Sequence, residues 1–187
     1  MNGVTGIVLA GGQGRRMGGV DKGLQLLHGK PMVAAVIGRL APQVDELIIN
    51  ANQNLADYER FGYRVVADSI GGFAGPLAGL LAGMRAARHE LVLTAPCDSP
   101  FLPLDLAARL SSAIAGKDLA VAKTGDQPHP VFALVRRSVR ASLEAFLAGG
   151  GRKIDAWYAA LKVAEVPFDD EADAFRNINT REELSRA

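Results

Sequence analysis

Between residues 9 and 31 the chain reads LAGGQGRRMGGVDKGLQLLHGKP, with seven glycines, two arginines and two lysines around one aspartate. Glycines let a backbone come close to a ligand and turn its N–H groups inward as an anion nest. Arg16 and Lys22 could then neutralise the phosphates that those amides cradle. The alternative is a solvated, flexible turn with ordinary surface charges. Two common phosphate signatures are absent. Gly12-Gln13-Gly14 meets Met17 where a dinucleotide fingerprint needs its third glycine, and no Walker-type GK[ST] occurs.

Three further positions carry chemistry. ELVLTAPCDSP ends an apolar run with Asp98, a carboxylate suited to holding Mg²⁺ while phosphate oxygens and waters complete the shell. An aspartate before Ser-Pro also makes turns, so the spacing alone leaves both readings open. Asn50 follows the run ELII and could read a ribose or a base edge, although turns favour asparagine too. Asp68 follows YRVVA; it could accept from the N1–H and N2–H edge of guanine, or cap the next turn. Cys97 has no histidine partner in view and reads as a small buried residue.

These residues need elements to position them. GIVLA (6–10), ELIIN (46–50), YRVVA (63–67) and ELVLTAP (90–96) read as buried strands. Between them, helical stripes run through Val33, Val36, Ile37 and Leu40, through a short segment near 55–61, and through Leu77, Leu80, Leu81 and Met84. A helix over Leu106, Leu110 and Ile114 follows. DLAVAK and HPVFALV read as strands, and the latter leads into a helix over Val139, Leu143, Phe146 and Leu147. A helix at 152–160, a strand at KVAEVPF and a helix from Thr180 complete the chain. Strand–helix alternation predicts an α/β fold of three layers, with a mostly parallel central sheet and helices on both faces. Ligands on such sheets bind at the carboxyl ends of the strands, where the glycine-rich stretch, Asn50, Asp68 and Asp98 all fall.

Composition narrows the function classes. With 187 residues, 49% of them hydrophobic and 22% charged, the chain reads as one ordinary domain, 1–187. A net charge of +1 argues against a general nucleic-acid or membrane-surface binder. One cysteine excludes an internal disulfide or a cysteine-based zinc site, and His28, His89 and His129 lack metal-ligand spacing. No stretch resembles a membrane helix or a signal peptide, so a cytoplasmic setting is expected.

Taken together, Leu9-Ala-Gly-Gly-x-x-x-Arg16-Met-Gly-Gly-x-Asp21-Lys22-Gly-Leu resembles the loop of the molybdenum cofactor guanylyltransferases, the MobA family. Asn50-Ala-Asn52, Asp68, Gly75-Pro-Leu-Ala-Gly79, Pro96-Cys-Asp98, His129-Pro130 and Asn177-Ile-Asn179-Thr180 match in family order over nearly the whole chain. The resemblance implies a Rossmann-like, GT-A-type nucleotidyltransferase fold. It implies transfer of GMP from GTP to Mo-molybdopterin, releasing pyrophosphate and forming the guanine dinucleotide cofactor. It assigns Leu9, Ala10, Gly11, Gly12, Arg16, Gly19, Lys22, Asn50, Asp68 and Asp98 to GTP, and Mg²⁺ to Asp98. Arg16, Lys22 and Asp98 would do the catalytic work. Asn177 and Asn179 would face the pterin, which puts GTP and Mg²⁺ on the N-terminal half and molybdopterin on the C-terminal part. Transient contacts with cofactor-supplying and molybdoenzyme-maturation proteins would follow, with no nucleic acid and no membrane.

The residue inventory agrees with that chemistry. A phosphate monoester is largely ionised near neutrality, its second pKa being about 6, so the nucleophile needs no strong general base. The obstacle is bringing one anion against another, which calls for cations rather than a Ser/His/Asp set. Related readings keep the fold and change the substrate: a cytidylyltransferase on molybdopterin, or a sugar-1-phosphate nucleotidyltransferase. A non-catalytic nucleotide-binding module is the reading from another class.

Overall fold

The computed structural model describes residues 3–12, 20–70 and 75–186. Its centre is a seven-stranded sheet of β1 (Val4–Leu9), β4 (Glu46–Asn50), β5 (Arg64–Val66), β6 (Leu91–Pro96), β7 (Leu119–Thr124), β8 (Gln127–Arg136) and β9 (Val163–Pro167). The order across the sheet is β5-β4-β1-β6-β8-β7-β9, and only β8 runs against the rest. The expected mostly parallel α/β architecture is therefore present. A separate hairpin of β2 (Leu26–Leu27) and β3 (Lys30–Pro31) sits between β1 and the first helix.

Strand residues sort by parity, as alternating side chains must. Val4 and Val8 of β1 enter one core layer, with α1 (Met32–Leu40) and α4 (Leu106–Ala113) packed over it. Ile7 enters the other, beneath α3 (Pro76–Ala86), α5 (Arg140–Ala148) and α6 (Ile154–Tyr158). The stripes read from the sequence are the buried faces: Val33, Val36, Ile37 and Leu40 on α1, and Leu77, Leu80, Leu81 and Met84 on α3. A third, small cluster of Leu27, Met32 and Ile178, with Phe101 and Leu184 against it, ties the hairpin to the segment before α7 (Arg181–Arg186).

Helix α3 lies unusually close to the sheet. A Cβ on Gly79 would stand 2.2 Å from Asn50 Oδ1 and 2.8 Å from Leu9 Cδ2. Only a residue without a side chain lets this turn rest on the ends of β1 and β4. The approach matters because both strands end in the residues the sequence singles out.

Candidate active site

The register of the sheet levels its carboxyl edge. Leu9 pairs with Asn50 on one side and with Pro96 on the other, while Asn50 pairs with Val66. Each strand therefore hands its next residues to the same rim: Ala10 to Gly12, Ala51-Asn52, Asp68, and Cys97-Asp98. The strand order reverses at β1, whose neighbours β4 and β6 lead away in opposite directions, and ligands of parallel sheets bind in that crevice.

The two ends of the rim differ in character. At the β6 end, Lys22 Nζ lies 3.2 Å from Asp98 Oδ2 and donates to Asn179 Oδ1 at 2.7 Å. These three residues come from distant parts of the chain. Asp98, 9% exposed, is fixed by its strand, and its carbonyl accepts the Ile178 N–H at 2.8 Å. Ile178 is buried under Leu27 and Met32, which brings its neighbours Asn177 and Asn179 to the rim. Ser99 Oγ donates to Asn177 Oδ1 at 2.5 Å. Glu183 reaches back to the N–H groups of Asn179 and Thr180, while the Thr180 hydroxyl accepts the Glu183 N–H, a capping box that holds this turn.

At the β4–β5 end, a carboxylate is held by amides. Asp68 Oδ1 accepts from Asn50 Nδ2 and Asp68 Oδ2 from Asn52 Nδ2, both at 2.8 Å. Asn50 is only 2% exposed, and its amide also reaches the Val66 carbonyl at 3.2 Å. Its local role is to orient Asp68 more than to present an edge of its own. The sequence reading assigns Asn50 to GTP and names Asn52 only as part of the Asn50-Ala-Asn52 match, yet Asn52 is half-buried and touches Asp68 twice. The alternation of Asn50 and Asn52 beside a strand end was the available signal.

The glycine-rich stretch enters from β1. Leu9 O accepts the Cys97 N–H at 3.0 Å, and the Ala10 N–H donates to Asn50 O at 2.8 Å. Ala10 thus spends its amide on the sheet, and the N–H groups able to face an anion begin at Gly11. Gly12 has open space where a side chain would project. Arg16 and Gly19 lie outside the described residues. Cys97 is buried among Asp98 and Asp21; burial first, then those charges, pushes its thiol far above the thiolate range, which rules it out as a ready nucleophile. Among the described residues no group of three or more His, Cys, Asp or Glu could cage a metal, and no helix is long and apolar enough to cross a membrane.

Known proteins resemble this chain in sequence and in fold. Residues 6–163 match the family described as the MobA-like NTP transferase domain. Two proteins named molybdenum cofactor guanylyltransferase are similar over nearly their whole length. The one from Cupriavidus taiwanensis is 57% identical, covering 97% of this chain and 94% of its own; that from Shewanella putrefaciens is 50% identical, covering 96% and 93%. Among solved structures, molybdopterin-guanine dinucleotide biosynthesis protein A from Archaeoglobus fulgidus superposes with a TM-score of 0.80 at 28% identity, over 97% of this chain and 95% of that one.

Proposed function

The chain belongs to the MobA-like NTP transferase family, and from that premise we propose that it is a molybdenum cofactor guanylyltransferase. It transfers GMP from GTP to Mo-molybdopterin, releases pyrophosphate and forms the guanine dinucleotide cofactor. The observation that carries this reading is the Lys22–Asp98–Asn179 cluster at the carboxyl edge of β1 and β6, beside the glycine-rich stretch. The GTP half of the site is N-terminal, and the segment from Asn177 to Asn179 brings the C-terminal part to it, on the side assigned to molybdopterin.

The reaction joins a phosphate oxygen of molybdopterin to the α-phosphorus of GTP, and the bond from that phosphorus to the bridging oxygen breaks. No proton need be removed by the protein, because the attacking phosphate is already ionised. The work of the site is electrostatic and geometric. Amides from Gly11 onward hold the triphosphate. Lys22 and Arg16 offset the repulsion between the two anions and stabilise charge as it passes to pyrophosphate. Asp68, turned by Asn50 and Asn52, receives the N1–H and N2–H groups of guanine on the lone pairs those asparagines leave free.

Asp98 is the residue that would hold Mg²⁺. Its Oδ2 is paired with Lys22, while its Oδ1 receives no hydrogen bond from the described residues. A single carboxylate suits a cation that keeps phosphate oxygens and waters as its other ligands. Bound there, the ion would supply further neutralisation of the triphosphate and of the leaving pyrophosphate.

This chemistry belongs in the cytoplasm, where transient contacts with the proteins that supply molybdopterin and accept the product complete the reading. The test is incubation with GTP, Mg²⁺ and Mo-molybdopterin, followed by mass analysis, with CTP in a parallel arm. Formation of the guanine dinucleotide with GTP alone is the expected result. Formation of the cytosine product would transfer the chain to the cytidylyl branch, and no pyrophosphate from any nucleotide would leave only a binding module.

A further inference from the structure

Next to Lys22, in the turn that follows the glycine-rich stretch, is a buried carboxylate to which the reaction assigns nothing. Asp21 is 8% exposed. Its Oδ1 accepts from the Tyr58 hydroxyl at 2.5 Å and from the Gly23 N–H at 3.1 Å; its Oδ2 accepts from Asn54 Nδ2 at 3.1 Å. All three donors are neutral. An ionised carboxylate withdrawn from water is costly unless its lone pairs are used, and replacing such a group by apolar residues is often neutral or stabilising. Stability alone is therefore a weak reason for Asp21 to be there.

We propose that Asp21, locked by Tyr58 and Asn54, is a positioning residue that aims Lys22 at the Asp98–Asn179 end of the site. Asp21 and Lys22 are adjacent and point opposite ways, one into the core and one to the rim, so fixing the first fixes the direction of the second. Lysine's four-carbon stem has wide rotamer freedom, so its ammonium meets Asp98 and Asn179 in one place only if the backbone beneath it is fixed. The rest of the turn is tied down to match. Gln25 donates from its side chain to Asp21 O and from its backbone to Lys22 O, both at 3.1 Å. Gly23 O and Gln25 O accept the Val33 and Met32 N–H groups at the start of α1, each at 2.8 Å. Gly23 itself has no room for a side chain, since a Cβ there would lie 2.6 Å from the Tyr58 hydroxyl. Burial, with Cys97 and Asp21 nearby, keeps Tyr58 protonated and therefore always a donor.

The brace also joins the two ends of the site. Tyr58 lies on α2 (Leu55–Glu59), and Asn54 ends the loop that begins with Asn50 and Asn52. Three asparagines at alternate positions thus serve two carboxylates: Asn50 and Asn52 hold Asp68, and Asn54 holds Asp21. Lys22 and the proposed guanine contact are thus braced through one short run, the end of β4 and the connection to α2.

This inference rests on the guanylyl-transfer reading and on the work assigned to Lys22 there. The experiment compares the parent chain with Tyr58→Phe, Asn54→Ala, Lys22→Met and the Tyr58→Phe/Lys22→Met pair. Turnover with GTP, Mg²⁺ and Mo-molybdopterin, GTP affinity by calorimetry, and melting temperature are measured for each. Tyr58→Phe should lower kcat about tenfold and Asn54→Ala about threefold, with GTP affinity changed less than kcat. In the Lys22→Met background, Tyr58→Phe should cost nothing further, because the group it aims is gone. A brace that merely stabilises the fold would lower the melting temperature and leave kcat within twofold, which overturns the proposal. So would a Tyr58→Phe loss that persists in full without Lys22. Should Tyr58→Phe fail to fold, Asn54→Ala, at an exposed residue, decides by the same criterion. A parent that releases no pyrophosphate with any nucleotide sinks the transfer reading, and this inference with it. An active parent with unimpaired variants sinks this inference alone.

Discussion

Asn52 grips Asp68 from two directions: its amide nitrogen donates to Asp68 Oδ2, and its amide oxygen accepts the Asp68 backbone N–H, each at 2.8 Å. The reciprocal pair fixes both the place and the rotation of the carboxylate just beyond β5. A carboxylate so oriented can take two N–H groups from guanine, a pattern adenine does not offer. Asp68→Ala should therefore weaken GTP far more than ATP and narrow their difference. Asn52→Ala should do the same more mildly, since hydrogen bonds to charged groups are worth about 1.5–3 kcal/mol and only one of two amide holders is lost. Titrations of both nucleotides against both variants check this, and equal weakening of GTP and ATP would assign Asp68 to the ribose or to the fold.

Asp98 is the second test. Asp98→Asn keeps the shape and removes the charge that Lys22, and in the proposed reaction Mg²⁺, would share. Turnover should fall at least ~100-fold, about 2.7 kcal/mol of transition-state stabilisation. The measurement is kcat at saturating GTP in a variant whose melting curve matches the parent. Unchanged turnover would remove Asp98 from the metal.

His129 yields a pH prediction from the β7–β8 side of the sheet, where it pairs with Ala122. Its ring stacks on Phe175 with centroids 4.5 Å apart, and its Nε2 is 2.8 Å from Thr124 Oγ1. Burial holds its pKa below the ordinary histidine value. The unfolded chain then binds the proton more readily than the folded one, so His129 contributes stability that is complete above the unfolded pKa near 6.5 and is lost as pH falls through it toward the folded value. On acidification from pH 7.5 to pH 5, the parent should lose more melting temperature than His129→Asn does. Parallel pH series of the two proteins would read this, and identical slopes would count against it.

Much of this was legible because the parallel half of the sheet is local in pattern. Each apolar run ends where its chemistry-bearing residue begins, so Asn50, Asp68 and Asp98 can be placed on one rim by counting strands. What escaped was set by partners far away. HPVFALV looks alike in either direction, and its antiparallel course follows from the tight Gly125-Asp126 connection between Thr124 and Gln127, a hairpin signal that was available. The hairpin of β2 and β3 turns on His28-Gly29, with His28 at φ 49°, where few side chains sit and no common turn dipeptide gives warning. Asn179 reaches Lys22 across 157 positions, and Tyr58 reaches Asp21 across 37. Nothing in either neighbourhood announces the other. The resemblance gave Asp21 as part of a motif, and only the fold shows that its carboxylate points inward.

The closeness of α3 to the strand ends supplies the last prediction. Gly79 faces Asn50 Oδ1 and Leu9 Cδ2 at distances no Cβ tolerates, and both atoms belong to side chains held in place by the sheet. Asn50 cannot swing aside without releasing Asp68 and the Val66 carbonyl, and Leu9 anchors the start of the glycine-rich stretch. Gly79→Ala must therefore push the helix outward or turn the Asn50 amide. Overpacking of this kind costs about 1–3 kcal/mol, partly offset by the better helix propensity of alanine. If the amide turns, Asp68 loses one of its two holders and discrimination between GTP and ATP should fall along with stability. If the helix moves, stability falls and discrimination holds. Denaturant unfolding and the two nucleotide titrations, run on the same variant, separate these outcomes. A Gly79→Ala protein as stable as the parent and as selective would mean that the contact between α3 and Asn50 is looser than 2.2 Å implies.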